Sequence, residues 1–460
     1  MYALIRAIAG MALRWFYRDI QVDGLERIPR DRALLLVVNH PNALVDALLV
    51  GWVVPRRVLI TAKSTLFANP IADRALRWLG VVPLRRASDE SASGAPQRLD
   101  PARNLGTFRA VHDALRDGGC VLIFPEGKTH DEPSLAPLKT GAARMALHAR
   151  DAGDVPGPAV VPIGLTFERK DAPRSRALVQ VGEPIFMDEW RAPQNAPAAE
   201  ALTHEIDARL RAVTSNYATP DDAARAIRLA RVIAALFEPV PEIGVVDRAL
   251  GAEIAIARRI DALSTSLARS DAALRTRIDD VVLRLEATER TATNHGVLLE
   301  DARISLTARS GARFVGREGL LLLTAGPVAL WGRLNHWIPF RAARAVALRN
   351  VDSAADPAMR TLVSGTAFVL LAYLVQTLVV AALWGGIAGG VYLIGLPIAA
   401  ETSLYFGDRL RRAVCRARAF LLFRRDPQLR QQLLDELAFL RNEVVEIDRE
   451  LRSSATLTAV

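Results

Sequence analysis

Residues 33–46 read Ala-Leu-Leu-Leu-Val-Val-Asn-His-Pro-Asn-Ala-Leu-Val-Asp. An apolar run, Ala33–Val38, ends abruptly in Asn39-His40. Five residues then separate His40 from Asp46. A short apolar run bounded by polar and proline residues is the pattern of a buried strand. A strand that delivers a histidine and a carboxylate to its C-terminal end is how an α/β enzyme presents a base. A neutral imidazole accepts a hydroxyl proton, and a neighbouring carboxylate fixes its tautomer and stabilises the imidazolium. Taken alone, the pair also reads as a structural histidine beside an aspartate.

The flanking sequence alternates in the same manner from Ile20 to about Asn216. Strands are expected at Ala33–Val38, Val58–Ala62, Val81–Leu84, Cys120–Phe124, Ala159–Phe167 and Ala177–Val181. Helices are expected at Val45–Val53, Asn69–Leu79, Pro101–Asp117, Thr140–Asp151 and Pro197–Ser215. Strands interleaved with helices predict an α/β domain with a mixed sheet flanked by helices. Ser88–Asp100 reads as a surface loop. Before this domain, residues 1–19 form an amphipathic pattern with Leu4, Ile5, Ile8, Met11, Trp15 and Phe16 recurring at helical spacing among arginines. Such a helix lies in a membrane interface or packs on the domain it precedes. It lacks the small-residue cleavage site of a signal peptide.

Beyond the α/β domain, residues 220–310 are helical and coiled-coil-like. Ile256, Ile260, Leu263, Leu267, Leu274, Ile278, Val281 and Leu285 follow one another mostly in steps of three and four, a seam. Leu433, Leu437, Leu440, Val444, Ile447 and Leu451 repeat the device in the basic C-terminal segment 403–460. These two seams are expected to pack on each other or on a second copy of the chain. Between them, Leu362–Ala400 carries no charge over 39 residues, interrupted by Gly385-Gly386 and Gly389-Gly390. That length predicts a transmembrane hairpin over 360–402, or one span with a re-entrant piece. Arginines flank both sides, which places both flanks on the cytoplasmic face of the inner membrane. Gly319–Trp331 is apolar but too short to span with ease, and with Trp331, Trp337 and Pro339 residues 315–345 suit an interfacial segment.

Composition agrees with a surface-bound chain. The 460 residues carry a net charge of +9, mostly from arginine, with a pI near 10.1 and a mean hydropathy of +0.16. This favours anionic membrane surfaces or phosphorylated substrates. Basic and aromatic residues are not interleaved, so no nucleic-acid platform is expected. The two cysteines, Cys120 and Cys415, have no metal-ligand spacing, and neither a metal nor a cofactor is expected.

Three further stretches accompany His40 and Asp46. Gly80–Arg86 ends a short strand in Arg85-Arg86, and guanidinium groups are well matched to a phosphate. Val121–Thr129 is a strand broken by Phe124-Pro125-Glu126-Gly127, followed by Lys128. Val160–Leu165 is an apolar strand interrupted by Pro162 and Gly164. In this order and at these separations the four stretches resemble the motifs of the glycerolipid acyltransferase family, the 1-acylglycerol-3-phosphate and glycerol-3-phosphate O-acyltransferase type. Phe124–Gly127 is the most specific match. The later apolar region resembles the C-terminal extension of fungal and bacterial glycerol-3-phosphate acyltransferases.

The resemblance implies transfer of a fatty acyl group from acyl-CoA or acyl carrier protein, as co-substrate, to a hydroxyl of glycerol-3-phosphate or 1-acylglycerol-3-phosphate. It implies His40 as base and Asp46 as its partner. Arg85, Arg86 and Lys128 would hold the acceptor phosphate, with Glu126 and Gly127 shaping the site and Glu126 bonding a glycerol hydroxyl. Lys139 is a candidate for the donor phosphates. The sequence departs from the family at the first motif, where four residues usually separate His and Asp. Pro41-Asn42 favours a loop that absorbs the fifth. The competing expectation is an inactive, membrane-anchored scaffold built on an acyltransferase-like domain.

Overall fold

The computed structural model describes residues 2–63, 74, 81–84, 101–155, 157–237, 249–267, 272–348 and 357–457. The chain divides into two compact units, residues 1–218 with 343–366 and residues 219–342 with 367–460.

In the first unit α1 (Tyr2–Phe16) leads into β1 (Asp19–Asp23), β2 (Leu34–Val38), α2 (Ala43–Val53), β3 (Val58–Lys63) and β4 (Val81–Leu84). Then come α3 (Pro101–Arg116), β5 (Cys120–Ile123), α4 (Gly141–Asp151), β6 (Ala159–Phe167), β7 (Arg176–Val181), β8 (Ile185–Phe186) and α5 (Ala198–Val213). The strands form one sheet in the order β1-β7-β6-β2-β5-β3-β4, with β8 also on β6. β6, β2, β5, β3 and β4 are mutually parallel along that path, whereas β7 and β8 run antiparallel to β6. The expected mixed sheet is therefore observed. Two strands are additional: β1, in which three of five residues are polar, and β8, which is only two residues long.

All five residues of β2 are buried. Successive side chains point to opposite faces of a strand, and β2 serves two cores. Leu34, Leu36 and Val38 join Leu13, Phe16, Leu49 and Val50 on the α1–α2 face. Leu35 and Val37 join Val121, Ile123, Ala143 and Leu202 on the other. This is why the run is continuously apolar instead of alternating. The α1 helix takes the second of its two expected places: it packs on the domain, burying Gly10, Ala12, Leu13 and Phe16. Gly10 is needed there, because a Cβ would meet the Trp52 ring at 2.2 Å.

β6 carries its two interruptions for separate reasons. The Pro162 carbonyl accepts from the Gly182 N–H on the outer edge. Its missing N–H falls between the end of the β8 pairing at Val160 and the start of the β7 pairing at Ile163, so no ladder bond is lost. Gly164 lies under the last turn of α5, where a Cβ would sit 1.9 Å from the Val213 carbonyl oxygen. The expected helix Asn69–Leu79, apart from residue 74, and the expected loop Ser88–Asp100 lie outside the described residues.

In the second unit α6 (Pro220–Phe237), α7 (Leu250–Leu267) and α8 (Ala272–Asn294) precede α9 (Ala308–Leu348), α10 (Pro357–Trp384), α11 (Gly386–Arg425) and α12 (Pro427–Leu457). The first turns of α10 belong to the first unit. The first seam is carried by two helices, α7 and α8. It packs on the second as expected: Val281 and Leu285 of α8 share a core with Leu433, Leu437 and Leu440 of α12. Arg277 bonds Glu443, Glu446 and Glu450 at 2.8–2.9 Å, and Arg284 bonds Glu436 at 2.7 Å. These exposed pairs contribute little energy each but fix the register.

The apolar segment becomes α10, of 28 residues, and α11, of 40, both long and apolar enough to cross a bilayer. Gly385 joins them with φ +90°, a conformation that glycine adopts without steric cost. Their outer faces expose large apolar side chains, among them Leu371, Leu378, Trp384, Ile387 and Ile394. The expected interfacial segment 315–345 lies within the 41-residue α9.

Candidate active site

The C-terminal ends of β2, β5, β3 and β4 lie along one edge of the sheet because these strands are parallel. Open α/β sheets characteristically bind ligands at that edge. Two of the four singled-out stretches leave a strand there, Asn39-His40 after β2 and Phe124–Gly127 after β5, and a third contains β4 itself. Arg85 and Arg86 themselves lie outside the described residues.

Asn39 ends β2 by substituting its side chain for backbone. Its amide donates to the Leu165 carbonyl at 3.0 Å and accepts from the Leu165 N–H at 2.7 Å. The strand pairing thus continues one residue beyond Val38 through a side chain, which holds His40 at the edge. The His40 ring stacks on Phe124, with centroids 3.7 Å apart and planes 16° apart. Its Nδ1 lies 3.0 Å from Asp46 Oδ2, and Asp46 is fully buried. The carboxylate is an acceptor, so Nδ1 carries the proton and Nε2 presents its lone pair.

The fifth residue between His40 and Asp46 is absorbed before α2, as Pro41-Asn42 suggests. The helix begins at Ala43, and Asp46 sits in its first turn. Ala43 takes φ +43°, in the left-handed region that L-residues avoid. The Asn42 N–H donates to Asp46 Oδ2 at 2.7 Å. The Asn42 side-chain amide bonds the Tyr17 hydroxyl at 3.0 Å and the Lys170 carbonyl at 3.2 Å. Lys170 Nζ in turn donates to the Pro41 carbonyl at 3.1 Å and pairs with Asp131. Tyr17 is held as the neutral phenol: burial, then the negative charge of Asp46, push its pKa well above the usual tyrosine range.

Glu126 is not placed as the resemblance implies. Its side chain is 1% exposed. One oxygen accepts the His40 backbone N–H at 2.8 Å. The other accepts the Ala136 N–H at 2.8 Å and Nε2 of His130. His130 Nδ1 accepts the Glu132 N–H, so Nε2 is the protonated nitrogen and the bond to Glu126 is a donation. With three protein donors on a buried carboxylate, Glu126 ties the second stretch to the first.

Gly127 has φ +73°, and a Cβ there would lie 2.8 Å from Lys139 Nζ. Lys139 therefore lies across the Phe124–Gly127 turn, anchored by its own N–H on the Pro125 carbonyl at 2.9 Å. Lys128 is exposed beside it. The structure brings together His40, Asp46, Glu126, Gly127 and Lys139. Sequence reasoning missed Tyr17, Asn42, Phe124, His130 and Lys170 as participants. Asn42 and Phe124 lie inside the motifs, and His130 is four residues past Glu126. Tyr17 and Lys170 carry no local signal, because only tertiary folding brings them to the loop.

Residues 19–166, which contain all four stretches, match the family model described as Acyltransferase. Residues 19–166 are an acyltransferase domain. Among curated proteins, the chain is similar to glycerol-3-phosphate O-acyltransferase 2 of Saccharomyces cerevisiae, with 42% identity over 142 residues, covering 30% of this chain and 18% of that one. It is also similar to a chloroplastic 1-acyl-sn-glycerol-3-phosphate acyltransferase of Arabidopsis thaliana, with 29% identity, covering 36% of this chain and 40% of that one. The chain thus spans well under half the length of these two relatives. Among solved structures, the 1-acyl-sn-glycerophosphate acyltransferase of Thermotoga maritima aligns at 21% identity and a TM-score of 0.34, over 45% of this chain and 78% of that one. The acyltransferase domain matched by the family model ends near the C-terminus of β6, short of α5 and of every helix in the second unit.

Proposed function

We propose that the chain is a glycerolipid O-acyltransferase, moving a fatty acyl group from an acyl thioester to a hydroxyl of glycerol-3-phosphate or 1-acylglycerol-3-phosphate. The observation that carries this is the His40–Asp46 pair at 3.0 Å, with the imidazole pinned against Phe124. Nε2 of His40 takes the acceptor proton as the hydroxyl oxygen attacks the thioester carbonyl. The C–S bond breaks, and the thiolate recovers that proton from the imidazolium. Asp46 holds the tautomer and offsets the transient positive charge. No covalent acyl-enzyme is needed.

Glu126 acts as a positioning residue: it fixes the backbone of His40 and the Phe124–Gly127 turn together. Lys139 and Lys128 supply cationic groups beside that turn for phosphate, on the acceptor or on a CoA or acyl carrier protein donor. Arg85 and Arg86, next in sequence after β4, would complete the acceptor phosphate site. α10 and α11 hold the chain at a bilayer, where acyl chains and lysolipids reside, and the flanking arginines keep both ends on the cytoplasmic face. The scaffold reading loses its main argument, since the longer spacing still joins Asp46 to His40.

The test is acyl transfer by the purified full chain, with acyl-CoA and acyl carrier protein donors against both acceptors. His40→Ala is expected to lower kcat by about 10²–10⁴-fold, the usual worth of a general base. Equal activity in that variant would sink the mechanism.

A further inference from the structure

We infer that α9 is a third lipid-facing element, lying in one leaflet beside α10 and α11, although it is not long and apolar enough to count as a span. The inference rests on the membrane placement of α10 and α11 proposed above. Residues 319–332 carry no charge. Fourteen helical residues rise about 21 Å, short of the roughly 30 Å hydrocarbon core, so α9 enters the bilayer without crossing it.

The distribution of residues around α9 is inverted relative to a water-soluble helix. The packed face is small or polar: Ala329, Gly332 and His336 are buried. At Gly332 a Cβ would lie 2.1 Å from the Ala399 carbonyl of α11, and at Gly395 a Cβ would lie 3.3 Å from the Trp331 ring. Close crossings on glycine are characteristic of helices packed in lipid. The unpacked face carries Leu322, Leu323, Leu330, Leu334, Trp337 and Ile338, each 53–77% exposed. An apolar face on this scale is covered by a core, a partner or lipid, and the described residues supply no core for it.

A polar lattice, buried at His336 and Tyr373 and half-buried at Asn335, Gln376 and Tyr392, fastens α9 to its two neighbours. The Tyr392 hydroxyl bonds the Asn335 side chain at 2.8 Å and Gln376 at 3.2 Å. His336 Nδ1 donates to the Gly332 carbonyl at 2.7 Å, so Nε2 accepts from the Tyr373 hydroxyl at 2.7 Å. Three helices thereby satisfy one another's polar groups, which in hydrocarbon have no water to turn to. Charged groups flank the apolar region: Glu318 pairs with Arg409 at 2.9 Å before it, and Arg341 lies over the Trp337 ring at 4.7 Å after it. Arg333, exposed between them, is long enough to lift its guanidinium to the headgroups. The occupant of the leucine face is therefore the acyl region of a bilayer.

The test is site-directed spin labelling of the full chain in phosphatidylethanolamine–phosphatidylglycerol vesicles. Exposed Cys415 is replaced by serine, and single cysteines are placed at Leu323, Leu330 and Val379. Collision with dissolved oxygen reports lipid, and collision with a nickel chelate reports water. Labels at 323 and 330 are expected to favour oxygen as strongly as the label at 379 on α10. Preference for nickel at 323 and 330, with oxygen at 379, overturns the inference. So does shielding from both probes, which would mean that a second copy of the chain covers the face. Nickel access at 379 as well would overturn the membrane placement of α10, and acyl transfer measured on the same sample tells that failure apart from a failure of the enzymatic reading. Tyr392→Phe is expected to raise label mobility at 330 severalfold, and unchanged mobility would remove the lattice from the argument.

Discussion

At the scale of single residues, Glu126 and Ala43 separate what the motif pattern conveys from what it conceals. The resemblance implies a glycerol hydroxyl as the partner of Glu126, whereas the fold gives its carboxylate protein donors. The same spacing would serve a carboxylate that faces substrate or one that faces backbone, and only the fold shows three protein donors on it. Glu126→Gln places an NH₂ group against a backbone N–H, leaving a buried donor unmet at about 1–3 kcal/mol. The expected result is a kcat lowered by about 10- to 100-fold through displacement of His40, with the KM for the phosphorylated acceptor within about twofold. A raised KM at unchanged kcat would mean instead that Glu126 contacts the acceptor. Ala43 bears the strain of the extra residue in the His40–Asp46 loop. Its left-handed φ costs about 1–2 kcal/mol, partly offset in a glycine variant by about 0.4–1 kcal/mol of unfolded-chain entropy. Ala43→Gly is expected to stabilise the chain by up to about 1 kcal/mol in thermal unfolding, with acyl transfer retained. Destabilisation would show that Ala43 does not hold that conformation in solution. His40 with Asp46, and Phe124–Gly127, were legible because each is a short local stretch of sequence. Tyr17 and Lys170 were not, because α1 and the loop after β6 reach Asn42 only through tertiary packing.

At the scale of elements, legibility followed burial. The central strands β2, β5 and β6 are read from their apolar runs because both faces of the sheet are covered. β1, with Asp19, Gln21 and Asp23, has no such run. It is a strand because its backbone pairs with β7 from Asp19↔Arg176 to Asp23↔Gln180. The seams of α8 and α12 were legible as period, and their mutual packing follows from it. Leu440 is fully buried in that core. Leu440→Ala is expected to cost about 2–5 kcal/mol, the range for deleting a buried leucine side chain. The loss should appear as faster amide exchange in α8 and α12 and not in β2 or β5, which belong to the other unit. Uniform acceleration across both units would mean that they unfold as one. Arg277→Ala provides the contrast. Its partners are solvent-exposed, so its smaller effect is expected to vanish at high salt.

At the scale of the whole molecule, two sources of membrane affinity are superimposed, and they respond differently to conditions. The first is charge. The chain carries +9, with Arg409, Arg411, Arg412, Arg416 and Arg418 following the apolar stretch, and a basic residue near an anionic leaflet contributes about 1 kcal/mol. This term falls steeply with ionic strength, since the screening length shrinks from about 8 Å at physiological salt to about 3 Å at 1 M. The second is burial of the apolar faces of α10 and α11. At about 25 cal/mol per Å² of apolar surface, the exposed leucines, isoleucines and Trp384 outweigh the arginines, and salt strengthens this term if it changes it at all. The expected outcome is that the full chain, floated with anionic vesicles, stays bound in 1 M sodium chloride and in alkaline carbonate and leaves only with detergent. Salt is the stringent arm for the charge term, because the arginines keep their charge in carbonate and only screening weakens them. Release by salt alone would reduce α10 and α11 to helices of a surface-bound protein.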